Sequence, residues 1–225
     1  MRALYEEMWR GAREAFARGR LEPDLRLDDP DDTRRGLSLI VRPEGEALAG
    51  LAALRDELAA IAPGHHVPAT GEIHVTVLSL ISCADGFVLD EDAVPRYAEV
   101  LGEALEGMAA FELTFRGITA SPACVMAQGF PAGGALDAIR ESLRRAVADS
   151  ALPHAMERRY PARTAHATLL RFRGTAAAPT ALVERLDALR DRALGRCRVE
   201  GIDLVFNDWY HRASAVRDLR RFALR

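Results

Sequence analysis

Two short stretches of this 225-residue chain carry polar chemistry inside apolar surroundings. Ile73-His74-Val75-Thr76-Val77 and Ala165-His166-Ala167-Thr168-Leu169 each set a histidine and a threonine two positions apart, in runs that read as β-strand. Strand side chains alternate faces, so His74 projects with Thr76, and His166 with Thr168. One such pair alone reads as a core histidine with one satisfied nitrogen beside a strand-favouring threonine. Two pairs in matching positions point to a site. A neutral imidazole can take a proton from an attacking hydroxyl while a protonated one gives a proton to a leaving oxygen. Threonine hydroxyls beside them can hold phosphoryl oxygens as charge builds there.

The elements that must position these pairs repeat. Pro43-Glu44-Gly45-Glu46-Ala47-Leu48 and Pro131-Ala132-Gly133-Gly134-Ala135-Leu136 share the pattern P-x-G-x-A-L. Each follows an apolar strand and precedes an amphipathic helix, a loop and an H-x-T strand. The first motifs are 88 residues apart and the histidines 92, so the second copy carries a slightly longer loop. This order predicts a duplicated strand–helix–strand unit. Packed about a pseudo-two-fold axis, its copies would aim both histidines into one cleft.

Periodicity predicts strands at 36–43, 70–81, 111–121, 123–130 and 163–172, and helices at 45–62, 90–108, 133–150 and 180–194. A helical stripe of Leu4, Met8, Ala12 and Phe16 opens the chain, followed by a linker rich in proline and aspartate. The run 197–210 reads as one strand, forming a closing hairpin with 211–224 around a polar turn near Asn207 to Arg212. Within it, Trp209 or Tyr210 could stack on a base or sugar.

Composition is that of an ordinary globular chain, 49% hydrophobic and 28% charged, with a net charge of −3 and no overall positive field to gather nucleic acid. All thirty basic residues are arginine, the signature of a GC-rich bacterial genome, so arginine clusters alone say little about function. No run approaches the roughly 20 apolar residues of a membrane helix. The charged first residues read as neither signal peptide nor anchor, which predicts a cytoplasmic protein. Cys83, Cys124 and Cys197, odd in number and widely spaced, predict free thiols rather than disulfides or a zinc site. His65 and His66 lack further nearby ligands and read as surface histidines.

Carried by IHVTV (73–77) and AHATL (165–169), the sequence resembles the two-histidine phosphoesterase superfamily. That group includes RNA 2′,3′-cyclic phosphodiesterases and bacterial 2′-5′ RNA ligase-like proteins. The resemblance spans about residues 36–225 and leaves 1–35 as an N-terminal helix and linker. It implies an α+β fold of two pseudo-symmetric lobes, each an antiparallel sheet with outer helices, around a cleft that needs no metal or other cofactor. It also implies His74 and His166 as acid and base, with Thr76 and Thr168 on the phosphate. The continuation HATLLR is like the H-x-T-L-x-R of the RNA ligase-like branch and makes Arg171 a phosphate partner. In a regular strand Arg171 would face away from His166, so a bulge or twist is required. The first motif lacks the aromatic and glycine usual in that branch.

The expected activity is that of a monomeric phosphoesterase acting on cyclic or 2′-5′ phosphoesters of RNA ends or small nucleotides, with Tyr210 as a candidate substrate contact. Two other readings are open: a non-catalytic nucleotide- or RNA-binding module of the same fold, and a metal-dependent hydrolase using His65 and His66.

Overall fold

The computed structural model describes residues 1–156, 161–174 and 180–225. Both copies of the repeat are present. The first is β1 (Arg35–Val41), α2 (Gly45–Ile61) and β2 (Val75–Ala84); the second is β4 (Cys124–Pro131), α4 (Ala135–Asp149) and β5 (Ala167–Arg171). β1 pairs antiparallel with β2, and β4 with β5. Their strands β2 and β5 pair at one position, where Val75 lies opposite Ala167 in an antiparallel pairing. These are the residues that directly follow the two histidines, so the axis relating the copies runs through the middle of the two motifs.

The remaining strands extend the sheet on both sides: β3 (Phe111–Ser121) and β6 (Ala193–Val199) beyond β4, and β7 (Gly201–Asp208) and β8 (Arg217–Ala223) beyond β1. The order is β6-β3-β4-β5-β2-β1-β7-β8, antiparallel throughout. The two lobes are thus halves of one eight-stranded sheet. Only Glu200 separates β6 from β7, although they belong to opposite halves. Two residues of chain span at most about 7 Å, so the sheet must curl into a half-barrel that brings its margins together. The run 197–210, expected as a single strand, is therefore two strands. Likewise the helix expected at 180–194 ends early as α5 (Thr180–Ala188), and β6 takes up residues from 193.

Helices α2 and α4 cross over. α2 packs on β5 and β6 of the other half, while α4 packs on β2 and on α3 (Val94–Leu105). Neither half is covered by its own helix, so the halves share one core. β1, β4 and β7 are buried almost throughout. No helix of the described residues is long and apolar enough to cross a membrane.

α1 (Arg2–Ala17) is also built into this core. Its buried face is Tyr5, Trp9, Ala12, Ala15 and Phe16. The predicted stripe is therefore out of phase at its start: Leu4 and Met8 are only half-buried. The Tyr5 hydroxyl donates to the Gly129 carbonyl (3.1 Å) and accepts from the Gly129 (3.2 Å) and Ala165 (3.0 Å) N–H groups. It bridges β4 and the segment leading into His166. Gly129 permits this approach, since a Cβ there would lie 2.1 Å from the Ala165 carbonyl oxygen.

Candidate active site

One face of the curled sheet holds a cleft of about 540 Å³ lined by His74, Thr76, His166, Thr168 and Arg171. The pairing of Val75 with Ala167 explains why four of them converge. Continued one residue each way, that register sets His74 towards Thr168 and Thr76 towards His166, all on one face.

Arg171 joins them because β5 is irregular. Met126 of β4 pairs with Thr168, but Val125 pairs with Leu170, leaving Leu169 as an extra residue. This bulge turns the strand by one position, so that Leu169 and Leu170 are both buried and Arg171 faces the cleft with Thr168. β2 contains the same device. Ile40 pairs with Thr76 and Leu39 with Leu78, leaving Val77 as the extra residue, and Ser79 faces the cleft where β5 has Arg171.

The imidazoles are held differently. His74 Nδ1 lies 2.7 Å from the Glu72 carbonyl oxygen. A carbonyl can only accept, so Nδ1 carries the hydrogen and the lone pair of the neutral ring sits on Nε2. His166 Nδ1 lies 2.8 Å from the Thr164 hydroxyl, which can accept or donate. Neutral His166 can therefore carry its proton on Nε2. Burial drives the pKa of both rings from 6.5 down to about 4; Arg171 and Arg42 oppose charge on His74, and His74, Arg171 and Arg140 oppose it on His166.

Two further residues were not apparent in the sequence as parts of the site. His211 stacks on His74, with ring centroids 3.9 Å apart and planes at 32°. It holds a left-handed backbone (φ 57°), uncommon for a side chain of this size. Burial, with His74 and the arginines nearby, keeps it neutral as well. Glu72 ties this turn to the first motif by accepting from the Ala69 (2.7 Å) and Ala213 (2.8 Å) N–H groups. Arg140 of α4 is almost wholly buried and donates to the carbonyls of Val77 (2.9 Å), Thr76 (3.1 Å) and Thr164 (2.7 Å). One guanidinium thereby fastens the threonine of the first motif to the residue that holds His166. Its signal in the sequence was position: Arg140 interrupts the apolar stripe Leu136, Ile139, Leu143, Val147.

Tyr210 lies beneath the site. It is buried, its hydroxyl donating to Asp24 (2.8 Å) and accepting from Arg34 (2.8 Å), while the Arg171 and Arg212 guanidinia lie over its ring. Trp209 lines the cleft instead. His65 accepts from the Arg173 N–H, and the His66 main chain pairs with that of Arg171. Among the described residues no three histidine, cysteine or acidic side chains are grouped so as to hold a metal.

Known structures share this architecture. TT0787 of Thermus thermophilus superposes with a TM-score of 0.62 at 23% identity, over 84% of this chain and 98% of that one. E. coli LigT complexed with 3′-AMP gives 0.59 at 16% identity, over 85% and 98%. The fold is that of LigT. Another LigT structure, complexed with NADP+, gives a TM-score of 0.56 at 18% identity, again over 85% and 98%. No protein-family model and no curated protein matches the sequence.

Proposed function

We propose that the chain is a two-histidine phosphoesterase that opens cyclic phosphates, or cleaves 2′-5′ phosphoesters, on RNA ends or small nucleotides without a metal ion. The observation that carries this reading is the convergence of His74, Thr76, His166, Thr168 and Arg171 in one cleft. LigT structures with 3′-AMP, ATP and phosphate show that the fold accommodates nucleotides and phosphate, which supports the ligand class.

The hydrogen bonds support one assignment of roles. The substrate phosphate sits between the motifs, held by Arg171 and the two threonine hydroxyls. His74, with its lone pair on Nε2, takes a proton from the attacking water as the new P–O bond forms. The P–O bond to the ribose oxygen breaks, and His166, protonated at Nε2, gives that oxygen its proton. The product is a phosphomonoester. His74 ends protonated and His166 neutral, and exchange with solvent restores the starting state. In the free protein both rings favour the neutral form. An anionic substrate beside them favours the imidazolium and so charges the acid when it is needed.

The test is turnover of 2′,3′-cyclic AMP by the purified protein, with and without EDTA. Sustained hydrolysis unaffected by EDTA is expected. Tight binding without turnover would favour a binding module, and loss of turnover restored by zinc or manganese would favour a metal-dependent hydrolase.

A further inference from the structure

We infer that Leu4 and Met8 of α1 form a nucleobase subsite, and that the cleft takes a single nucleoside cyclic phosphate rather than the end of an RNA chain. The inference rests on the phosphoesterase reading and narrows its substrate.

α1 turns its aromatic face into the protein, but Leu4 and Met8, one helical turn apart, belong neither to the hydrophobic core nor to the partly buried residues packed against it. Both line the cleft, where Met126 and Pro161 continue the apolar surface. The other side of the cleft carries Ser38, Ser79, Ser82 and Asn207, polar and uncharged, with Cys83 and Trp209 beside them. A nucleoside has this same division: a flat base with apolar faces, and a sugar rich in hydroxyls. Methionine suits the base wall, since its thioether adapts in shape and contacts aromatic rings favourably.

Two further features limit the size of the ligand. The cleft volume of about 540 Å³ falls within the roughly 300–1,000 Å³ of small-molecule sites. Among the described lining residues Arg163 and Arg171 are the cations, and Glu7 opposes them. A bound RNA strand calls for a positive groove that tracks its backbone. Among the described residues the lining has cations for one phosphate group and its surroundings. The base wall is also rigidly placed, because the Tyr5 hydroxyl, between Leu4 and Met8 in sequence, is bonded to Gly129 and to Ala165 beside His166.

The experiment compares 2′,3′-cyclic AMP with ribose 2′,3′-cyclic phosphate, which lacks the base, in the wild type and in a Leu4→Ala/Met8→Ala variant whose Tm is checked first. The wild type should prefer the nucleotide, and an oligoribonucleotide ending in a cyclic phosphate should be no better than the mononucleotide. In the variant the preference for the nucleotide should fall on the order of 10-fold or more, chiefly through KM. An unchanged preference, or an oligonucleotide strongly favoured by the wild type, overturns the inference. If the wild type turns over neither compound, the proposed reaction fails but the subsite is still decided by binding. The variant should then lose affinity for 3′-AMP but not for inorganic phosphate; equal effects on both would refute the subsite.

Discussion

From His74 the chain enters β2 and runs through Thr76, an extra residue at Val77 and then Ser79; from His166 it enters β5 and runs through Thr168, an extra residue at Leu169 and then Arg171. The burial pattern is the same along both segments. The chemistry is not. After the bulge one half presents a hydroxyl and the other a guanidinium. The Nδ1 partner is a carbonyl in the first half and a hydroxyl in the second. The helix of the second copy contributes Arg140 to the junction, where the P-x-G-x-A-L alignment gives the first copy Ala52. The repeat supplies two matched imidazoles; in the proposed reaction the departures from symmetry separate base from acid and place the phosphate towards Arg171.

The largest effect expected from this asymmetry is kinetic. Arg171→Ser makes the second half resemble the first, and kcat should fall on the order of 10²–10³, as when a charge-stabilising donor is removed. Ser79→Ala should change steady-state rates only a few-fold. Comparable losses from both substitutions would mean that the halves hold the substrate equally. Next is a stability effect. Arg140→Met keeps a long apolar stem but leaves three carbonyls without their donor, at about 1–3 kcal/mol for each one not satisfied by water. Urea unfolding should show a lower midpoint, whereas Ala52→Met in the first copy should shift it little.

A third effect is a pH dependence. Unfolded histidines take up protons near pH 6.5, while folded His74 and His166 stay neutral down to about 4. Between these values the unfolded state binds more protons, so stability should decline as pH falls through the window. Urea midpoints at several pH values check the trend. His166→Asn should flatten it, since one of the proton-refusing groups is gone. A trend unaltered by that substitution would place the pH sensitivity elsewhere.

The H-x-T pairs and the repeat were legible because residue type at strand spacing, and the order of elements, are properties of the local sequence. The need for a bulge or twist before Arg171 was legible for the same reason: five residues from His166 is an odd step along a strand. What was hidden depended on distant parts of the chain. Nothing near Glu200 indicates that β6 and β7 belong to opposite halves of a curled sheet. His211 reads as part of a polar turn until that turn is folded against His74. Arg140 was masked by a lysine-free composition in which arginine is commonplace. Leu4 and Met8 fit a helical stripe well enough to look like core, and only the position of Tyr5 between two strands rotates them into the cleft.

The proposed reaction has the two histidines, one from each copy, acting as a single acid–base unit on one phosphate. It is tested most directly by the turnover of 2′,3′-cyclic AMP in folded His74→Ala, His166→Ala and double variants. Each single change should cost on the order of 10²–10⁴, and the double variant should be little worse than the poorer single one, since residues that work as a unit are not additive. Near-normal turnover in either single variant, or losses that simply multiply in the double, would contradict it.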